Sequence, residues 1–176
     1  PKIAWAGRVD DNKNLPLALE GFRFICDRAR IMQPHLYIAG EFQSTQAYDY
    51  AGNWLKISGM EDRVHFDGWQ TDMDAWLEDK DFLFISSTRE GWSYVVAEAM
   101  AKGIKPLIHA WPGAELAWPQ RLIWRNVSEL WDCFSSRPYE SAFYRQWVAE
   151  RYDLKDQLKA MHAVIEERCG LRGEKG

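Results

Sequence analysis

The fold is decided by the sequence at residues 82–100, FLFISSTREGWSYVVAEAM. Residues 82–85 are apolar, and the segment 82–86 predicts a buried strand. Residues 94–102 predict a helix with Ser93 as its N-cap and Gly103 just after its end. A strand, a short loop and a helix N-terminus together form an anion site, because free N–H groups and the helix dipole point at the loop. We therefore expect a bound anion beside this loop.

Two glutamates eight residues apart, Glu90 and Glu98, bracket the loop. Gly91 allows the backbone to come close to a ligand. Such a pair can hold hydroxyl groups on either side of a phosphate, which is the layout of a sugar nucleotide. The alternative is that both carboxylates lie on a solvated helix face, which is the usual position of isolated glutamates.

A second phosphate-type loop opens the chain, in the sequence IAWAGRVDDNKNLP at residues 3–16. An apolar strand ends in Gly7-Arg8, and Lys13 then precedes a helix that Asn14 can cap. Arg8 offers a planar fork for phosphate oxygens, and Lys13 adds a mobile point charge. For Lys13 alone, an ordinary surface cation is the simpler interpretation.

Strand-like and helical segments alternate along the chain. The pattern predicts strands at 2–6, 35–39, 63–67, 82–86, 105–109 and 121–124, and helices at 15–30, 45–58, 71–79, 94–102 and 141–167. This alternation indicates an α/β fold, a Rossmann-like three-layer sandwich with a parallel sheet of about five or six strands. We expect one domain over residues 1–169 and a disordered tail at residues 170–176, which are polar and glycine-rich.

Composition excludes several classes of protein. A net charge of −4 argues against a nucleic-acid surface, and no apolar run is long enough to span a membrane. The three cysteines show no C-x-x-C spacing, which suggests reduced thiols in a cytoplasmic protein. The four histidines show no ligand spacing either, so we predict no metal site.

With both loops in view, the chain resembles the C-terminal donor-binding domain of GT-B glycosyltransferases of family 4, the glycosyl transferases group 1. The resemblance covers about residues 3–115. Its motifs follow in order: the Gly7-Arg8 loop with Lys13, the strand and glycine at 36–40, V-x-F-x-G at 64–68, E-x7-E at 90–98, and a strand at 106–108.

The resemblance implies roles for individual residues. The catalytic residues would be Arg8, Lys13 and Glu90, and the nucleotide sugar would be bound by Gly7, Gly91, Trp92, Ser93 and Glu98. Arg8 and Lys13 would contact the donor diphosphate and stabilise the leaving group. Glu90 would lie near the donor sugar, and Glu98 would hold the ribose. The resemblance implies no cofactor and no metal beyond the nucleoside-diphosphate sugar itself.

The implied function is donor binding in a retaining glycosyltransferase that transfers a hexose to a glycan, lipid or other acceptor. An N-terminal acceptor-binding domain of the same enzyme would be the partner, and any peripheral membrane contact would come through that domain. The isolated chain would then be inactive. The alternative is a stand-alone nucleotide-sugar-binding or regulatory module. An oxidoreductase is excluded because no G-x-G-x-x-G follows the first strand.

Overall fold

A computed structural model describes residues 1–169 and shows a sheet of six parallel strands. The strands are β1 Lys2–Ala6, β2 His35–Ala39, β3 Val64–Gly68, β4 Phe82–Ile85, β5 Lys105–His109 and β6 Ile123–Trp124. Their order in the sheet is β3-β2-β1-β4-β5-β6. The predicted parallel α/β sheet is therefore confirmed. The disordered tail predicted at residues 170–176 lies outside the described residues.

The helices begin and end close to most of the predicted positions. They are α1 Leu15–Arg28, α2 Thr45–Ser58, α3 Met73–Leu77, α4 Tyr94–Lys102, α5 Ala114–Ala117, α6 Val127–Ser135, α7 Ser141–Tyr152 and α8 Leu154–Cys169. At the start of α1, the side chain of Asn14 accepts a hydrogen bond from the N–H of Leu17 at 3.3 Å, so the predicted cap is present.

Successive side chains of a strand point to opposite faces of the sheet, so both faces carry apolar side chains that must be buried. Helices cover both faces. On β1, Ile3 and Trp5 pack in a core shared with α1, α2 and α6, whereas Ala4 packs in a second core shared with α3, α4, α5 and α7. These two cores and the sheet between them make the three-layer sandwich.

The helix α6 was absent from the sequence prediction. Side chains cap its start. The side-chain oxygen of Asn126 accepts hydrogen bonds from the N–H groups of Ser128 and Glu129 at 3.0 Å. The carboxylate of Glu129 accepts a hydrogen bond from the N–H of Arg125 at 2.9 Å. Asn followed three residues later by Glu is a variant of a known helix-start signal. This element was therefore predictable from residues 126–129.

The prediction of a single helix at 141–167 is wrong, since the structure has two helices in this segment, α7 and α8. Asp153 separates them with an extended backbone at ψ 125°, and its carboxylate accepts a hydrogen bond from the N–H of Lys155 at 2.8 Å. The chain therefore turns and starts a new helix.

On α8, large apolar side chains are exposed along one stripe: Leu154, Leu158, Met161, Val164 and Ile165. Within residues 1–169, no helix combines the length and apolar character that a membrane span requires.

Candidate functional site

The two loops singled out in the sequence lie side by side, because β1 and β4 are neighbours in the sheet. The strand order reverses between these strands, and open α/β sheets bind ligands at such a switch point, outside the carboxyl ends of the strands. The backbone N–H of Thr88 donates to the carbonyl oxygen of Asn12 at 2.9 Å. The hydroxyl of Ser86 donates to the carbonyl oxygen of Lys13 at 2.7 Å and accepts from the indole N–H of Trp5 at 2.9 Å. Each loop thus fixes the other.

A cavity of about 400 Å³ opens at this edge of the sheet. Its walls come from four parts of the chain: the loop after β1, the loop after β2, the segment after β3, and the segment from Glu90 into α4. The lining residues are Ala6, Gly7, Lys13, Ala39, Gly40, Trp69, Gln70, Met73, Glu90, Trp92, Ser93, Tyr94, Val95 and Glu98. Six of the eight predicted site residues are in this set.

An ion pair between Lys13 and Glu90 crosses the cavity wall. The ammonium of Lys13 donates to Oε1 of Glu90 at 2.5 Å, and the hydroxyl of Ser87 donates to the same oxygen at 2.8 Å. The two side chains are only 22% and 12% exposed, so the pair is screened less than a surface pair would be. The other oxygen of Glu90 accepts no hydrogen bond from the described part of the chain.

The start of α4 faces the cavity, since Ser93, Tyr94 and Val95 all line it. Ser93 occupies the predicted N-cap position and is buried, but its hydroxyl makes no capping hydrogen bond within residues 1–169. The predicted N-cap position is therefore confirmed, but without a side-chain hydrogen bond. The consequence is favourable for anion binding, because the serine does not occupy the donors of the first turn.

Glu98 is exposed, lines the cavity and makes no ion pair among residues 1–169. Trp92 packs its ring on Trp118 at 5.6 Å and on Tyr152 at 4.9 Å between centroids. Trp92 therefore anchors the loop to the core beneath α7, while part of the same side chain lines the cavity.

Arg8 and Gly91 do not line the cavity. The side chain of Arg8 is 70% exposed and its nearest carboxylate, that of Asp10, is 3.7 Å away. The reason is the buried neighbour Val9, whose N–H donates to the carbonyl oxygen of Glu41 at 2.9 Å and whose own carbonyl accepts from Gln43 at 3.1 Å. This pairing directs Arg8 to solvent, so the structure does not bring the guanidinium to the predicted phosphate position.

One wall of the cavity is formed by the segment after β3, where the sequence predicted only Trp69, as a wall of the base pocket, and not Gln70 or Met73. Trp69, Gln70 and Met73 come from the segment after β3, and the indole of Trp69 is 63% exposed. Their position directly after a predicted strand indicated this location, because the residues that follow each parallel strand lie at the same edge of the sheet. Within residues 1–169, no three side chains among His, Cys, Asp and Glu are grouped closely enough to hold a metal ion.

The sequence pattern of a protein family described as glycosyl transferases group 1 matches residues 1–121. The chain belongs to this family. This group 1 glycosyl transferase domain is 31% identical over 109 residues to mannosylfructose-phosphate synthase of Agrobacterium fabrum, an alignment that covers 58% of the chain and 24% of that enzyme.

Solved structures of glycosyltransferases share the fold of this group 1 glycosyl transferase domain. HepE of Anabaena, solved with UDP, gives a TM-score of 0.81 at 13% identity, over 94% of this chain and 48% of that chain. The pneumococcal O-GlcNAc transferase GtfA, solved with UDP and GlcNAc, gives 0.76 at 14% identity, over 94% and 35%. TarM of S. aureus, solved with UDP among its ligands, gives 0.75 at 15% identity, over 90% and 34%.

The domain therefore spans about a quarter of the curated relative and a third to a half of these structures. Its six-stranded parallel fold matches the C-terminal half of the GT-B glycosyltransferases, as the sequence predicted.

Proposed function

We propose that this domain binds the nucleoside-diphosphate sugar donor of a retaining glycosyltransferase, which transfers a hexose to a glycan, lipid or other acceptor. The observation that carries the proposal is one cavity at the switch point that unites the Lys13–Glu90 pair, the start of α4 and Glu98. Structural neighbours solved with UDP support it.

The chemistry of the lining residues suggests how a donor would lie. The start of α4 offers backbone N–H groups and a positive dipole end to the diphosphate. The free oxygen of Glu90 would accept a sugar hydroxyl on one side of it, and Glu98 would accept the ribose hydroxyls on the other. Trp69, at the edge of the cavity, would form a wall beside the base.

Lys13 would stabilise the leaving diphosphate. Its ammonium has three N–H donors, and Glu90 takes one of them. The remaining donors can bind phosphate oxygens while the pair stays intact, so the cation is held in place before the negative charge develops. Arg8 would add a second cation if its exposed side chain turns inward when the donor binds.

The acceptor-binding part of the enzyme would be a second domain outside this chain. The exposed apolar stripe on α8 supports this, because it offers a contact surface that residues 1–169 leave uncovered. Acceptor positioning and exclusion of water would come from closure between the two domains. The stand-alone binding module remains the alternative, and an upstream Rossmann-like domain in the parent gene would decide against it.

We predict that the chain binds a nucleoside diphosphate or its sugar without added metal, and that Glu98→Gln weakens this binding by about 1–3 kcal/mol, the cost of losing charge-assisted contacts. Calorimetry with UDP-, GDP- and ADP-sugars in the presence of a chelator measures it. Glu61→Gln is the matched control, since Glu61 is exposed and lies before β3, at the other edge of the sheet. No heat of binding from any nucleotide, in a folded sample, would contradict the proposal.

We also predict that the isolated chain transfers no sugar even when its donor site is filled. The isolated chain would supply only one wall of the cleft between the two domains, so the donor sugar would face solvent and no acceptor would be positioned. Product formation is measured in the same samples that bind donor by calorimetry. Robust transfer by the 176-residue chain would show that no partner domain is needed.

A further inference from the structure

A second cavity of about 480 Å³ lies at the opposite edge of the sheet from the donor site. It forms where β5 and β6 begin, and the segment from α6 to α7 closes it. Nothing in the proposed donor chemistry uses this cavity, because the donor would bind at the carboxyl ends of the strands.

The floor of this cavity holds a buried ammonium group. Lys105 is 2% exposed, and its Nζ donates to the hydroxyl of Ser136 at 2.7 Å and to the carbonyl oxygen of the same residue at 3.2 Å. Both acceptors are neutral, and Lys105 makes no ion pair within residues 1–169. Buried charges are almost always paired, whereas no carboxylate of residues 1–169 lies within ion-pair distance of this ammonium.

The neighbouring thiol does not supply that charge. Cys133 also lines the cavity, and burial raises the pKa of its thiol to about 11, so it is neutral at pH 7. Burial lowers the pKa of Lys105 for the same reason, because the charged form is poorly solvated. A bound anion would relieve this cost.

Three guanidinium groups line the cavity together with Lys105. Arg121 pairs with Glu140 at 2.8 Å and Arg125 with Glu129 at 3.4 Å, whereas Arg137 makes no ion pair among the described residues. Asp132 is the one other carboxylate in the lining. Lys105 and Arg137 therefore remain as two cations against a single unpaired carboxylate.

We propose that this cavity binds a small phosphate-type dianion, either free phosphate or a phosphomonoester. Lys105 would donate its third N–H to the anion from below, and Arg137 would add a fork of donors from the exposed side. A dianion fits better than chloride, since it can take up both positive charges and several N–H donors at once. The volume leaves room for a substituent on the phosphate.

A structural explanation competes with this one. Ser136 is the C-cap residue directly after α6, so the role of Lys105 could be only to bond a carbonyl at the end of that helix and oppose its dipole. That role needs no ligand and predicts no effect of phosphate at residues 120–140.

The test is a titration of the isotope-labelled 176-residue chain with phosphate, followed by backbone amide NMR signals. Signals from residues 120–125 and 136–140 should move with a saturable dependence on phosphate, but not on chloride at equal ionic strength. A parallel titration with glycerol phosphate decides between the free ion and a phosphomonoester as the tighter ligand. Signals around Lys13 and α4 report separately on any phosphate in the donor site.

Three variants make the result decisive. Lys105→Met and Arg137→Ala should each weaken phosphate binding on the order of 10-fold or more, the worth of a charge-assisted hydrogen bond. Asp132→Asn should tighten it, because it removes the unpaired negative charge. Lys56→Met, at an exposed lysine of α2, is the control that should change nothing. Absence of shifts at the cavity, or equal shifts in wild type and the exposed-site variant Arg137→Ala, would overturn the proposal and leave Lys105 as a helix-end contact.

Discussion

Replacing Gly40 by alanine is expected to lower the free energy of unfolding by about 3 kcal/mol and to abolish donor binding. A Cβ at this position would lie 1.8 Å from the carbonyl oxygen of Gly7 and 2.9 Å from its carbonyl carbon, and Gly40 has φ +148°, where side chains are rarely found. The obstructing atoms are backbone, so no side-chain rotation can relieve the contact. Gly7 and Gly40 both line the cavity, and their separation would displace its wall. Denaturant unfolding and calorimetry measure the two effects.

Gly52→Ala is the matched control for this substitution. Gly52 lies inside α2, and a Cβ there would meet no atom within 4 Å. Alanine should therefore stabilise the protein by about 0.5–1 kcal/mol, as it does in helix interiors. A Gly40→Ala protein with the stability of the wild type would show that the loops after β1 and β2 can move apart freely.

Replacing Lys13 by alanine should lower the turnover of the whole enzyme on the order of 10²–10³-fold, the usual loss when a preorganised charge-stabilising donor is removed. Lys13 is the cation that the structure places in the cavity, and its partner Glu90 fixes its position. The substitution also leaves Glu90 with Ser87 alone, so the carboxylate that would face the sugar becomes less well held. Steady-state kinetics on the full-length enzyme, in which the proposed acceptor domain would accompany this one, measure the loss.

Lys56→Ala controls for the removal of a positive charge far from the cavity. Thermal unfolding of the Lys13 variant shows whether the fold is retained, since the broken pair lies between two loops. Unchanged turnover in a folded Lys13→Ala enzyme would contradict the proposed role in leaving-group stabilisation. The same assay with Arg8→Ala shows whether that exposed side chain takes part.

Much of the fold was predictable because parallel strands buried on both faces appear as short continuous apolar runs. The strands β1, β2 and β5 begin and end at the predicted residues. The region after β5 was harder to predict. Its helix α5 has four residues and depends on burying Ala114, which is a tertiary effect. The break at Asp153 rests on a single side-chain cap, which periodicity does not reveal.

The candidate site divides in a similar way. Glu90 and Glu98 were predicted from their spacing around one loop, and Lys13 was predicted through the resemblance to family 4 glycosyltransferases. The structure brings all three to one cavity. The direction of Arg8 was not predictable from local sequence, since it follows from the pairing of Val9 with the segment after β2. The supporting hydroxyls of Ser86 and Ser87 were missed for the same reason, because their partners are distant in the chain.

The hydrogen bonds between the loops after β1 and β4 have a consequence for the lifetime of the domain in a cell. Lys13 and Glu90 are 77 positions apart, so the pocket does not exist until β4 has docked beside β1. Partly folded chains therefore lack the site, and a nucleotide-sugar donor would bind the completed fold alone. By mass action, a donor present at 100 times its dissociation constant adds about 2.7 kcal/mol to stability. Because marginal stability governs how fast proteases remove a protein, abundant sugar nucleotide would extend the lifetime of this domain, and scarcity would shorten it.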